Sequence, residues 1–326
     1  MKCLGIESTA HTFGAGVVSF NGEDKFEILS SQKACYFEKE GIRPTLAAQH
    51  HTQKAPETIK VALKEADMKM TDIDIIAYSI GPGMTPCLIV GSTAAKILAL
   101  KHKKPLVAVN HCVAHIDIAK EMTECKEAFV AVFVSGGNSQ ILSKTEGRYR
   151  IFGETQDIAV GNAIDKFARS VDLGFPGGPV VEKLAKDGKY IGLPYSVKGC
   201  DFSFAGIETQ AERTLKTNRI EDVCYSMQEV MFSAICESAE RVLGHLKLKT
   251  LVLCGGVARN KTLQEKLKIM TSERDAKVFC VPGEYAGDNG AMIAITGIKN
   301  YLKKINCFDK KDIRKTAVIP KIRIDQ

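Results

Sequence analysis

The stretch Phe129–Ser143, with the sequence FVAVFVSGGNSQILS, indicates the fold of this chain most directly. An apolar run, a turn with two glycines and a second apolar run are typical of a β-hairpin with a buried first strand. The N-terminus has the same order, with a strand over 2–7, a turn over 8–14 and a strand over 15–20. Helices and strands alternate after each hairpin, which predicts two α/β domains of one general plan.

The rest of the chain fits this plan, and 326 residues are enough for two domains. The periodicity predicts helices over 44–66, 86–100, 158–171, 179–185, 221–246, 260–270 and 289–302, and strands over 26–32, 73–79, 106–109, 250–254 and 277–281. We place one domain at 1–125 and the other at 126–326, with the last helix as a candidate to pack back on the first. Two hairpin-led α/β lobes around a nucleotide are the layout of actin, hexokinase and Hsp70-type ATPases, a duplicated ribonuclease H-like fold.

Composition limits the compartment and the partners. Eleven cysteines without a Cys-x-x-Cys pair indicate reduced thiols in a cytosolic protein, and we expect no signal peptide. No run of 18 apolar residues occurs, so we expect no membrane span. The net charge is +7. Basic residues are concentrated at 101–104 and in the tail between Lys303 and Arg323, where Lys310 is one of them. A basic surface favours a polyanionic partner, although scattered lysines also occur on any solvated face.

A pair of histidines predicts a metal site. His111 and His115 are four residues apart in a stretch with helical spacing, so their imidazoles share one face. Zinc or iron prefers a third protein ligand, often a carboxylate. Asp288, which lies between glycines at the start of a predicted helix, is the candidate for that ligand.

Glycine-rich turns that follow apolar strands predict a nucleotide site. Residues 135–138 (SGGN) and 255–258 (GGVA) expose backbone amides that suit phosphates, and a helix begins after the second turn. Asp165 lies inside a predicted helix, where aspartate is a poor helix former, so a polar role is expected. Glu182 is either a solvated side chain or a ligand contact. Neither a Walker motif nor a Gly-x-Gly-x-x-Gly fingerprint is present, which argues against P-loop and Rossmann folds.

These segments together resemble the universal tRNA threonylcarbamoyladenosine synthesis proteins in their archaeal and eukaryotic form, the catalytic subunit of the KEOPS complex. The matching motifs run in family order over 5–12 (GIESTAHT), 81–83 (GPG), 110–115 (NHCVAH), 134–138 (VSGGN), 157–169 (DIAVGNAIDKFAR), 175–179 (FPGGP), 255–260 (GGVARN) and 287–292 (GDNGAM).

The resemblance implies a reaction and a site. The threonylcarbamoyl group of threonylcarbamoyl-AMP would pass to the N6 amine of adenosine 37 in tRNAs that read ANN codons. His111, His115 and Asp288 would hold one divalent ion, iron or zinc. The adenylate, or ATP, would be held by Phe133, Val134, Ser135, Gly136, Gly137, Asp165, Gly178, Glu182 and Asn260. No residue is assigned as the general base.

The resemblance also implies differences and partners. Archaeal members commonly carry a metal-binding tyrosine where this chain has Phe133, so we expect one protein ligand fewer. Some archaeal members carry a fused kinase domain, and here a separate kinase subunit and the small dimerising subunits of KEOPS are expected instead. The basic residues then have tRNA as their target. The expected location is the cytoplasm, with the nucleus as the alternative for a eukaryotic chain.

Three other functions compete with this one. A sugar or acetate kinase shares the predicted fold and would need a catalytic carboxylate over a hydroxyl substrate. A metal-dependent glycoprotease is suggested by the two histidines, but no His-Glu-x-x-His motif occurs. A non-enzymatic ATP switch of the actin or chaperone kind would need no metal site.

Overall fold

The protein, described from a computed structural model, contains two large mixed sheets with helices around them and a small two-stranded sheet. The structure describes residues 1–23, 25–38, 41–309 and 311–325, so Lys310 lies outside the described residues. The strands are β1 (Lys2–Glu7), β2 (Thr12–Phe20), β3 (Phe26–Cys35), β4 (Ile75–Gly81), β5 (Leu106–Asn110), β6 (Val130–Val134), β7 (Ser139–Thr145), β8 (Arg148–Glu154), β9 (Val197–Lys198), β10 (Asp201–Phe202), β11 (Thr250–Cys254), β12 (Lys277–Cys280) and β13 (Cys307–Phe308).

The helices connect and cover these strands. They are α1 (Pro44–Glu65), α2 (Thr85–His102), α3 (His111–Met122), α4 (Val160–Ser170), α5 (Gly178–Ala185), α6 (Ala205–Thr214), α7 (Ile220–Leu246), α8 (Lys261–Glu273), α9 (Gly283–Ala286) and α10 (Gly290–Leu302). No helix of the described part combines the length and the apolar character that crossing a membrane requires.

The two large sheets repeat one topology. The first has the order β13-β5-β4-β1-β2-β3, and the second has the order β12-β11-β6-β7-β8. In both, a hairpin and a third antiparallel strand lie on one side, and two strands parallel to the first lie on the other. The fold class predicted from the repeated hairpin is therefore confirmed. The division of the chain into domains at residue 125 stays a prediction. Two C-terminal elements belong with the first sheet, since β13 pairs with β5 and α10 packs on β1 and β2.

Helix α10 lies directly on the backbone of β1 and β2, because glycines face each other there. A Cβ atom on Gly290 would lie 2.2 Å from the backbone nitrogen of Gly16, and one on Gly5 would lie 2.2 Å from the carbonyl oxygen of Gly290. Real Cβ atoms do not approach so closely, so any larger residue would push the helix away. This contact brings the segment before α10 against the first lobe.

Several elements differ from the sequence expectations. A proline inside a helical pattern predicts that Pro56 kinks or divides the helix over 44–66, but α1 is undivided and contains Pro56. Helix α6 and strands β8 and β13 were not predicted, because α6 has an unexceptional polar sequence and β8 carries exposed arginines. Packing against α4 and α7 fixes α6, and pairing with β7 fixes β8.

Candidate active site

Helix α3 begins where β5 ends, and its first residue is His111. The side chain of Asn110 caps the helix by accepting hydrogen bonds from the backbone amides of Cys112 at 2.9 Å and Val113 at 3.3 Å. The cap fixes the direction of the first turn. His111 and His115 therefore face the interior between the two lobes, and both are buried.

Asp288 reaches these histidines from the other half of the chain. Its Oδ1 atom lies 3.6 Å from Nε2 of His111 and 3.2 Å from Nε2 of His115. The two imidazole rings are perpendicular, with centroids 4.7 Å apart. One ligand atom from each of the three residues lies within 4.8 Å of the other two. The structure thus brings together the three residues predicted as metal ligands.

Two groups of hydrogen bonds hold Asp288 in this position. Asn289 caps α10 by accepting a hydrogen bond from the Met292 amide at 2.9 Å, and its amide group donates to the Gly287 carbonyl at 2.8 Å. Deeper in the structure, Asp117 of α3 accepts hydrogen bonds from Thr296 and Lys299 of α10 at 2.8 and 2.7 Å. Helix α3 carries the two histidines, and helix α10 follows Asp288. These hydrogen bonds therefore hold the two helices against each other.

Glu7 is a site residue that the sequence analysis did not identify. Its fully buried carboxylate lies 2.9 Å from Nδ1 of His111, and it accepts a hydrogen bond of 2.7 Å from the Thr9 amide. With Nδ1 of His111 occupied, Nε2 is the nitrogen that faces Asp288. A carboxylate behind a histidine is the usual partner that orients a metal ligand. An acidic residue at the end of a strand that precedes a Ser-Thr turn was the available signal.

The charges at the site alter its proton affinities. Burial acts to lower the pKa of His111, but the charge and hydrogen bond of Glu7 and the charge of Asp288 outweigh it and raise the pKa to about 9. Burial lowers the pKa of His115. Burial also opposes ionisation of Asp288, but the hydrogen bond from His115 and the charge of His111 hold its pKa well below the usual range. Without metal, the site therefore holds one imidazolium, one neutral imidazole and one carboxylate at neutral pH.

Phe133 closes one side of this cluster. It is the last residue but one of β6, is fully buried, and its ring centroid lies 5.3 Å from that of His115. A phenyl ring supplies no ligand atom, so it contributes packing and excludes water. Two imidazole nitrogens and one carboxylate oxygen, with positions left for water or substrate, are a donor set that fits zinc or iron.

Metal binding is expected to release one proton near neutral pH. Only neutral imidazole binds a metal, so the proton that His111 carries below pH 9 must leave. Zinc affinity should rise about tenfold for each pH unit between 7 and 9 and should level off above that range. Calorimetric titration in two buffers of different ionisation enthalpy measures the number of protons released. In Glu7→Gln the release at pH 7 should fall, and an unchanged release would contradict this account of His111.

The turn 135–138 between β6 and β7 leaves the backbone of its two glycines accessible. Cβ atoms added to Gly136 and Gly137 would meet nothing within 4 Å, so this backbone faces open space. Ser135 holds the turn closed, because its hydroxyl accepts a hydrogen bond of 3.0 Å from the Asn138 amide. The second glycine turn, 255–258, is more closely packed than the first. Gly255 has a φ of +93°, and a Cβ atom there would lie 2.3 Å from the Val134 carbonyl oxygen. Val134 itself is fully buried.

The other residues predicted to hold the adenylate form a framework between helices. Asp165 accepts a hydrogen bond of 2.8 Å from the Gly177 amide, next to Gly178 at the start of α5. Glu182 accepts one of 2.7 Å from the Lys261 amide. Asn260 caps α8, and its amide group donates to Gln228 at 2.7 Å. These contacts join α4, α5 and α8, and Gln228 is a partner that no sequence signal indicated.

The whole chain is similar to proteins of known name. The family model of tRNA N6-adenosine threonylcarbamoyltransferase matches residues 26–295. A protein of that name from Thermococcus sibiricus is 49% identical, over 100% of this chain and 98% of its own length. One from Thermococcus kodakarensis is 48% identical with the same coverage. This chain belongs to the tRNA N6-adenosine threonylcarbamoyltransferase family. It is thus a transferase of tRNA modification.

One longer relative and two solved structures are also similar to this chain. A protein of Methanobrevibacter smithii named probable bifunctional tRNA threonylcarbamoyladenosine biosynthesis protein is 46% identical, over 99% of this chain but only 59% of its own length. Among solved structures, full-length HypF in its phosphate- and nucleotide-bound form has a TM-score of 0.64 at 12% identity, over 92% of this chain and 46% of that one. Component A of (R)-2-hydroxyglutaryl-CoA dehydratase from Acidaminococcus fermentans has a TM-score of 0.58 at 13% identity, over 93% and 99%. These structures share the fold.

Proposed function

We propose that this transferase moves the threonylcarbamoyl group from threonylcarbamoyl-AMP to the N6 amine of adenosine 37 in tRNAs that read ANN codons. The observation that carries the proposal is the convergence of His111, His115 and Asp288 close to the open glycine turn 135–138, which begins two residues after Phe133, the ring that packs on His115. An acyl-adenylate has one phosphate and one reactive carbonyl carbon, and the neighbouring sites suit these two groups. Membership of the family supplies the reaction class.

The chain's residues act by positioning. The amides of Gly136 and Gly137 receive the adenylate phosphate, and the framework of Asp165, Glu182 and Asn260 shapes the nucleoside side of the cleft. Glu7 keeps His111 oriented with Nε2 toward Asp288. When bound, a zinc or iron ion supplies a Lewis acid that polarises a carbonyl or phosphoryl oxygen. As the amine attacks the carbamoyl carbon, the bond to the phosphate oxygen breaks, AMP leaves and the amine loses one proton.

We propose further that the chain works with partners in the cytoplasm. The M. smithii relative is named bifunctional, which supports a second activity linked to this one, and we assign it to a separate kinase subunit. Small dimerising subunits would complete a KEOPS-type assembly. The cysteines of this chain are free, which fits a reducing compartment. The basic residues would contact tRNA phosphates, so binding should weaken as salt increases.

The experiment that tests the function is reconstitution. The chain, its partner subunits and a threonylcarbamoyl-AMP synthase are incubated with threonine, bicarbonate, ATP and unmodified tRNA. Mass spectrometry of the nucleosides should detect threonylcarbamoyladenosine with an ANN-reading tRNA and none when adenosine 37 is replaced by guanosine. Phosphorylation of a small alcohol, or cleavage of a glycoprotein, without any modified nucleoside would refute the proposal.

Blocking the glycine turn should weaken nucleotide binding. In Gly137→Val the new side chain enters open space, so the fold is kept but the phosphate is kept away from the backbone amides. Loss of one or two hydrogen bonds to a charged group should lower AMP affinity about 10- to 100-fold. Calorimetric titration with AMP measures the change. Gly192→Val, at an exposed glycine with equally open surroundings, is the matched control and should leave the affinity unchanged.

A further inference from the structure

Three rings from both lobes meet at the cleft, outside the metal site and the glycine turns. His11 lies in the turn after β1, Phe37 follows β3, and Phe175 follows α4. The ring centroids of His11 and Phe37 are 5.5 Å apart, and Phe175 lies 6.4 Å from His11 and 6.3 Å from Phe37. We call these residues the ring cluster.

The ring cluster is held in place but is not closed. The backbone amide of Tyr36 donates a hydrogen bond of 2.8 Å to the His11 carbonyl, which fixes the segment that carries Phe37. On the other lobe, the Gly177 amide is bound to Asp165, which fixes the loop of Phe175. Phe37 nevertheless remains 53% exposed. The ring cluster therefore has one face that a ligand can reach, at Phe37.

The ring cluster lies near the reaction centre and beside a positive charge. Thr9, two residues before His11, has its Oγ1 atom 3.4 Å from Nδ1 of His111, so the turn that carries His11 lies against the metal-site histidines. Arg169 of α4 extends toward the first lobe, where its guanidinium lies 3.7 Å from the position of a Cβ on Gly41. Aromatic rings beside an arginine are the usual receptor for a splayed base of single-stranded RNA.

We propose that His11, Phe37 and Phe175 form a stacking site for the acceptor adenine base of the tRNA anticodon loop. The inference rests on the proposed function, which requires that base to leave the loop and enter the cleft. The donor adenosine already has a proposed place between the glycine turn and α8. The ring cluster supplies the acceptor base with a flat apolar surface, and Arg169 supplies a partner for the adjoining phosphate.

The test is a double-mutant cycle on RNA binding in the reconstituted assembly. The probes are two fluorescein-labelled anticodon stem–loops of an ANN-reading tRNA, one with the acceptor adenosine and one with an abasic site there. We expect Phe37→Ala to weaken binding of the adenosine RNA about 5- to 150-fold and to leave binding of the abasic RNA unchanged. Phe37→Trp should restore affinity. Tyr190 lies elsewhere on the surface and is 58% exposed, so Tyr190→Ala should leave the binding of both RNAs unchanged.

Transfer kinetics and AMP binding separate the remaining outcomes. In Phe37→Ala, KM for tRNA should rise while metal content and AMP affinity stay unchanged, and Phe175→Ala should behave alike. A loss of AMP affinity with unaltered RNA binding would assign the ring cluster to the donor base and overturn the proposal. An equal loss of affinity for the adenosine RNA and the abasic RNA would also overturn the proposal. If wild-type protein transfers nothing, the proposed function fails, whereas wild-type transfer with an unaltered KM in Phe37→Ala refutes the stacking site alone.

Discussion

Asp288→Ala is expected to empty the metal site and to reduce threonylcarbamoyl transfer to tRNA by about two orders of magnitude or more. The Oδ1 atom of Asp288 lies within 3.6 Å of the Nε2 atoms of both His111 and His115, so it is the third donor of the set. Without it, two buried imidazoles remain and no carboxylate is left to coordinate the ion. Metal content by plasma mass spectrometry and transfer by nucleoside mass spectrometry measure the two effects.

Controls separate this effect from loss of the fold. Asp288→Asn keeps the shape and removes the charge, so it should lose most of the metal while its melting temperature stays near that of the metal-free wild type. Asp187→Ala removes an exposed carboxylate elsewhere and should alter neither metal content nor rate. Full transfer by a metal-free Asp288→Asn protein would show that the cluster is structural.

Gly290→Ala is expected to lower the melting temperature by about 5 °C and to weaken metal binding. The added Cβ would lie 2.2 Å from the Gly16 nitrogen and 2.6 Å from Cα of Ala15, both backbone atoms that cannot move aside. Overpacking of this kind costs up to about 3 kcal/mol. Because Gly290 is two residues from Asp288, displacement of α10 also moves the carboxylate away from His111 and His115.

The matched control is the same substitution where space is open. Gly244 lies in α7, is exposed and has nothing within 4 Å of a Cβ, so Gly244→Ala should stabilise the protein by about 0.5–1 kcal/mol. Differential scanning calorimetry and zinc titration of both variants give the comparison. If Gly290→Ala melts like the wild type and binds zinc equally well, close packing of α10 does not position Asp288.

Much of the fold could be predicted from the sequence because hydrophobic periodicity is local. The hairpin over 129–143 and its N-terminal counterpart correctly predict two sheets of one plan, and the long helices α1 and α7 lie within a residue of their predicted bounds. Where the local signal was weak, as in α6 and β8, contacts with distant elements decide the structure.

The chemistry that the chain can offer is already present in its residue pattern: two histidines on one helical face, a candidate carboxylate and glycine turns that expose their amides. Which of these groups meet depends on the packing of the folded chain. Asp288 reaches the histidines because α10 returns to the first sheet on a glycine contact, Glu7 occupies Nδ1 of His111 from 104 residues away, and Phe175 joins Phe37 across the lobes. Such proximities depend on the packing of elements remote in sequence, and no local pattern of residues encodes them.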